Sequence, residues 1–433
     1  MTTTETIRAR IAPLQSQLQD YPGLWEMFRR CFMNTIETTV QQEKGDTFVI
    51  TGDIPAMWLR DSTAQVLHYL RFADEPQVAG MIEGLVARQA ECILRDPYAN
   101  AFNREPSAYK PFDDFPRACD WVWERKYETD SLCYPVWLAE KYIDKTGRTA
   151  ILTERFAMAL RRVVGVLRRE QHHECSDYRF VRTDCPPSDT LTREGMGEPV
   201  AFTGMTWSGF RPSDDACRYG YLTPSNLFAV RALKGAERLA KRMGDDALAA
   251  EAASLGKEIA AGVEAFAKVD DPQFGEIYAY EVDGLGQANL MDDANVPSLL
   301  ALPYLEVCAK DDPLYLRTRA FVLSRRNPYY REGARARGVG SPHTPEGYVW
   351  PIALCVQAMT STDDAEVAAL LRMLMTTHAG TGFMHESFDP DAPEKFTRPW
   401  FAWANSMFGE MLYRLYEEER LAGVIRLARA MED

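Results

Sequence analysis

Apolar residues recur at i, i+3, i+4 and i+7 along most of this chain, as in LRRVVGVLRRE (160–170) and AVRALKGAERLAKRM (229–243). That spacing is one face of a helix with 3.6 residues per turn. It predicts helices near 5–20, 23–41, 62–73, 75–93, 130–146, 150–170, 224–243, 246–268, 292–303, 313–323, 349–360, 362–377 and 402–426. Several begin at a cap or breaker, such as Asp61-Ser62, Asp130-Ser131 and Pro224-Ser225. Alternation of period two is scarce. DTFVITG (46–52) and IYAYEVDG (277–284) predict short hairpins at most.

The connectors between these helices come in two kinds. Some are short polar turns, as in GRTA, GDDA and STDDA. Others are long and rich in Trp, Asp, Arg and Gly, such as TGDIPAMWLRDS (51–62), CDWVWERKYETDS (119–131), TGMTWSGFRPSDDACRYGY (203–221) and TGFMHESFD (381–389). No Pro-, Gly- or Ser-rich linker divides the chain and no fixed-period repeat marks a solenoid. The pattern predicts one all-α domain over residues 1–433. An (α/α)6 toroid accounts for both kinds of connector, with short turns at one end and long loops gathered over a central cavity at the other.

Composition narrows the function. With 49 basic and 63 acidic residues the formal net charge is −14, and no Lys/Arg run occurs. Such a chain is a poor partner for nucleic acid or an anionic membrane. No apolar run is long enough to span a bilayer. The N-terminal MTTTETIRARIAPLQ has no apolar signal region, and the nine scattered cysteines include no CxxC. These features predict a cytoplasmic protein with reduced thiols. The sequence does not fix an oligomeric state, and a monomer is the default expectation.

Seven of nine tryptophans (58, 121, 123, 207, 350, 400 and 403) lie in or beside the long connectors. Aromatic planes interspersed with Asp, Glu, Arg and Asn suit a sugar, whose C–H face packs on a ring while its hydroxyls bind charged side chains. Glycoside hydrolysis then needs one protonated acid and one carboxylate. Asp53, Asp61, Glu124, Asp130, Asp214, Asp215, Asp283, Asp292, Asp293 and Glu386 are the loop candidates, and composition does not choose among them. Asp214-Asp215 is an adjacent pair whose repulsion would raise one pKa, as a general acid requires. Glu386 adjoins His385, which suits a base. The histidines have no metal-ligating spacing, a full DDxxD is absent, and there is no phosphate-loop, dinucleotide or nucleophile-elbow motif. No metal and no cofactor are expected. A different sugar enzyme, such as an exo-glucosidase or epimerase, and a non-catalytic glycan-binding protein remain alternatives.

The segments GDIPAMWLRDSTAQ, DPYANAFN, WERKYETDSLCYP, TGMTWSGFRPSDD, GTGFMHESF and WFAWANSMF resemble glycoside hydrolase family 125, over about residues 20 to 425. The resemblance implies an exo-acting α-mannosidase that prefers α-1,6 linkages, folds as an (α/α)6 barrel and inverts without a metal. It implies an α-mannoside oligosaccharide as partner. By motif match, the general acid falls on Asp214, with Asp215 the lesser choice, and the base on Glu386. The WLRDS motif places Trp58, Arg60 and Asp61 around the terminal mannose. Composition and motif location add Glu124, Arg211, Asp215, Asp283, His343, His385 and Trp403 as further binding candidates.

Overall fold

The computed structural model describes residues 1–431; the last two residues of the expected domain lie outside the described ones. Helices carry the architecture, and strands of at most four residues are confined to the connectors. Local chemistry explains the helix ends. Thr153, Asp245 and Asp312 accept backbone N–H bonds as N-caps of Glu154–Arg169, Asp246–Phe266 and Pro313–Val322. Gly147 and Gly244 end Thr129–Thr146 and Thr223–Met243 in the left-handed conformation, which glycine adopts without steric cost. Helix Glu154–Arg169 buries Phe156, Ala159, Leu160, Val163, Val164 and Leu167, the stripe its periodicity predicts.

Packing pairs the helices. Thr223–Met243 lies along Asp246–Phe266 and against Thr129–Thr146. Leu59–Leu67 touches both Thr129–Thr146 and Ala402–Glu417, and the latter packs on Leu24–Asn34 and Pro351–Met359. A contiguous hydrophobic cluster runs from Ile7 to Ala428.

The span 292–303, read from sequence as a helix, is instead a buried irregular segment. The Asp292 carboxylate takes the N–H groups of Leu299 and Leu300, and Asp293 takes that of Asn295. Pro297 and Pro303 have no N–H to give and bias the residues before them away from helix. The segment is nonetheless tied in: Val296 and Tyr304 bond Tyr134 and Glu410 of neighbouring helices. The long C-terminal helix also breaks, into Ala402–Glu417 and Leu421–Ala430, at Glu419 with φ +57°. The first hairpin expectation holds, while the stretch 277–284 divides between two ladders, with Glu281–Val282 pairing with Ala288–Asn289 and Tyr221–Leu222. Strands Val40–Glu43 and Asp46–Val49 pair around Lys44-Gly45, and Lys268–Asp271 pairs with Gly275–Tyr278.

Short ladders bring distant connectors together. Met57–Trp58, Ala101–Phe102 and Val122–Glu124 form a three-stranded patch that sets Trp58 beside Ala101 and Ala101 beside Glu124. Ser387–Phe388 pairs with Phe396–Thr397. An isolated bridge joins Gly52 to Phe401. Gly52 has φ +132°, and a Cβ there would sit 2.4 Å from the Trp400 carbonyl oxygen, so only glycine allows this approach.

Candidate active site

One pocket is walled by Thr51, Ile54, Trp58, Arg60, Asp61, Pro212, Ser213, Asp214, Asn295, His343, Trp350, Glu386, Arg398, Phe401 and Trp403. Much of this wall comes from helix N-termini. Trp58, Arg60 and Asp61 open Leu59–Leu67, Trp350 precedes Pro351–Met359, and Phe401 and Trp403 open Ala402–Glu417. Helix N-termini carry partial positive charge, which favours the carboxylates gathered there.

Asp214 sits in a tight turn between Phe210 and Ala216. The Arg211 N–H donates to the Asp215 carbonyl, and the Asp214 N–H to the Arg211 carbonyl. Asp214 itself has φ +70°, uncommon for a residue with a side chain. Its Oδ1 accepts from Asn100 Nδ2 at 3.2 Å and lies 3.9 Å from Arg60. The Lys126 ammonium donates to its backbone carbonyl at 2.7 Å. Burial alone would raise this carboxyl, but Lys126 and Arg60 outweigh it and hold Asp214 low.

Arg60 is the hub of this acidic cluster. Its side chain is 3% exposed. It donates to Glu128 at 2.6 Å and Asp130 at 3.3 Å, and its Nε lies 3.4 Å from Asp61. Burial opposes the guanidinium charge, but the carboxylates around it more than compensate. Burial lifts Asp61 to about 6, against the pull of Arg60 and with a push from Asp214.

Glu386 lines the same pocket. The pairing of Ser387 with Thr397 puts it across from Arg398, which donates to it at 3.4 Å and also grips Asp53. Arg398 has φ +41°, a second strained residue at the site. His343 faces Asp215 at 3.4 Å; burial lowers its pKa, but Asp215, Asp214 and Glu386 together raise it to about 9. Trp58 Nε1, Trp403 Nε1 and Asp61 Oδ2 are buried and make no hydrogen bond among the described residues. Buried polar atoms of this kind ordinarily find partners. In a pocket of aromatic faces they suit sugar hydroxyls.

The structure therefore gathers Asp214, Glu386, Trp58, Arg60, Asp61, His343 and Trp403 in one wall. Glu124 and Asp215 line the adjoining cleft with Trp123, Lys126, Arg182 and Phe112. Glu124 is fixed there by Asn100 at 3.0 Å and Arg182 at 2.9 Å. Three candidates lie outside both walls. Arg211 forms a buried fork with Glu281. Asp283 accepts the N–H groups of Leu285 and Gln287 within a turn. His385 points the other way from its neighbour and stacks on Phe396 at 3.7 Å. Sequence reasoning missed Asn100, Glu128, Asn295 and Arg398. Glu128 and Asn100 both lay in quoted motifs, Glu128 directly before a helix; Arg398 carried no signal beyond its connector.

The family model described as metal-independent α-mannosidase (GH125) matches residues 21–413. The meiotically up-regulated gene 157 protein of Schizosaccharomyces pombe is 39% identical over 442 aligned residues, 96% of this chain and 86% of that protein. A Streptococcus pneumoniae structure from a family of metal-independent α-mannosidases, in a non-productive complex with α-1,6-mannobiose, is 45% identical. It superposes with a TM-score of 0.93 over 95% of this chain and 98% of its own. A bacterial glucoamylase bound to acarbose matches in fold alone, at 12% identity and TM-score 0.62, over 93% of this chain and 57% of its own.

Proposed function

Because the chain belongs to the metal-independent α-mannosidases of family GH125, and is thus a glycoside hydrolase, we propose that it removes α-1,6-linked mannose from non-reducing ends with inversion. One observation carries the reading: Asp214 and Glu386, far apart in sequence, face the same aromatic pocket. The mannobiose held by the Streptococcus pneumoniae relative supports the linkage. The chain of helix contacts and the likeness to glucoamylase support an (α/α)6 toroid, and the contiguous core supports one catalytic domain. All nine cysteines are free, which supports a reducing, cytoplasmic setting.

In this reading the terminal mannose packs on Trp58 and Trp403, and Asp61 takes its hydroxyls. Asp214 delivers a proton to the glycosidic oxygen as an oxocarbenium-like centre develops. Glu386, held by Arg398, removes a proton from water on the opposite ring face. Inversion calls for carboxyl groups about 6.5–9.5 Å apart, room enough for that water. The test is hydrolysis of α-1,6-mannobiose beside isomaltose, with the first-formed anomer read by proton NMR. Release of β-mannose is expected. Release of glucose alone would favour an exo-glucosidase, α-mannose first would exclude inversion, and binding without turnover would mark a glycan-binding protein.

A further inference from the structure

We infer that Glu128 is the proton partner of Asp214: it holds, beneath the pocket wall, the proton that Asp214 passes to the glycosidic oxygen. This rests on the reading of Asp214 as general acid. Glu128 itself does not line the pocket, and its side chain is fully buried.

The geometry of the cluster favours a stored proton. Asp61, Glu128, Asp130 and Asp214 surround a single guanidinium, that of Arg60. Lys126 and His343 also offset Asp214, and Arg398 offsets Asp61, but the fully buried Glu128 and Asp130 have Arg60 as their main cation, and like charges at this range disfavour ionisation. The proton has a defined place. Glu128 Oε2 already accepts from Arg60 at 2.6 Å and Ser131 at 2.8 Å. Among the described residues Oε1 has only the Asn100 amide as a donor, at 3.5 Å. The same amide nitrogen reaches Asp214 Oδ1 at 3.2 Å, so Asn100 holds the two carboxyls side by side. Its own oxygen takes the Lys126 N–H, which fixes which end faces them. A proton shared between two carboxyls held on one amide would join them by a hydrogen bond.

The charges around the pair sort the proton. Burial, then Asp214 and Asp130, push Glu128 upward against Arg60. Lys126, Arg60 and His343 pull Asp214 down. Glu124 approaches through Asn100, Asp61 through Arg60, and the Cys217 thiol is buried nearby. In the resting pair the proton therefore belongs to Glu128. When the glycosidic C–O bond breaks, the leaving oxygen takes a proton from Asp214, and Asp214 takes one from Glu128. Water forms the new bond to C1, and Glu386 holds its proton. Release of that proton to solvent, and uptake of one by the pair, restores the starting state.

The experiment is Glu128→Gln, assayed on α-1,6-mannobiose and on α-mannosyl fluoride, whose leaving group needs no proton. Glutamine keeps the shape and the neutral charge but cannot pass the proton on. Expected is a loss of about 10²-fold in kcat/KM on mannobiose at pH 7, the scale of general-acid catalysis, with the alkaline limb moved to lower pH. The fluoride rate should stay within about three-fold of wild type, since acid catalysis contributes little there. Equal loss on both substrates would make Glu128 merely structural and overturn the inference. An unchanged mannobiose pH profile would overturn it too. Wild-type enzyme inactive on both would remove the mannosidase reading itself, and the inference with it.

Discussion

Arg60→Met isolates the electrostatic cost of the site. The side chain is similar in length, but the charge is gone. Arg60 makes two charge-assisted hydrogen bonds, to Glu128 and Asp130, each worth about 1.5–3 kcal/mol. Breaking a buried ion pair by removing one partner costs about 3–5 kcal/mol, so two routes give a similar figure. At about 2.1 cal/mol/K per residue, unfolding 433 residues carries about 0.9 kcal/mol/K, so the melting temperature should fall by about 3–5 °C. The loss must also depend on pH. Without the guanidinium, the buried carboxyls have folded-state pKa values further above their unfolded values near 4. A raised carboxyl pKa weakens the fold as pH climbs through the interval between the two values. Calorimetric melts should show the deficit small near pH 4 and full by about pH 8. A deficit that is flat with pH, or below about 1 °C, would refute the claim that Arg60 neutralises this cluster.

Asp214→Asn should lose about 10²–10⁴-fold in kcat on mannobiose yet keep most fluoride hydrolysis, whereas Glu386→Gln should lose both; the reverse pattern would exchange their roles. Asp215→Asn is the control, and a larger loss there than at Asp214 would move the acid by one residue. His343→Gln removes a cation whose folded-state pKa, about 9, lies above the ordinary histidine value of about 6.5. The stabilisation it gives is full below the lower value and fades as pH rises to the upper one, so the wild-type advantage in chemical denaturation should shrink across that window. Gly52→Ala drives a methyl into the Trp400 carbonyl and should cost about 1–3 kcal/mol, with KM raised through the displaced Phe401 wall; a neutral result would show the loop yields freely.

Helices were legible because their stripes are sharp, as at 154–169, where periodicity and burial coincide. The 292–303 segment misled because its apolar spacing is helical while Asp292 takes N–H groups that a helix would use. A side chain competing for backbone bonds leaves no trace in hydrophobic periodicity. Among the acids, composition was blind to direction. Asp283 and Asp292 look like Asp214 in sequence, but they are spent on backbone amides. Adjacent residues diverge as well: Glu386 faces the pocket while His385 stacks behind it on Phe396. Glu128 and Asn100 could not be ranked, because their importance comes from which charges surround them, and that is set by contacts across the whole chain.

The bridge between Gly52 and Phe401 has a consequence for synthesis. The pocket draws on residues near both ends of the chain, so its walls meet only late in translation. A nascent chain that has released Asp214 and its neighbours already holds the acidic cluster, yet it has neither Glu386 nor the aromatic wall beyond Arg398. Until those strands emerge, the acidic cluster stands without the residues that complete the pocket wall. The pocket is complete only when segment 398–403 is bonded to residues 51–53.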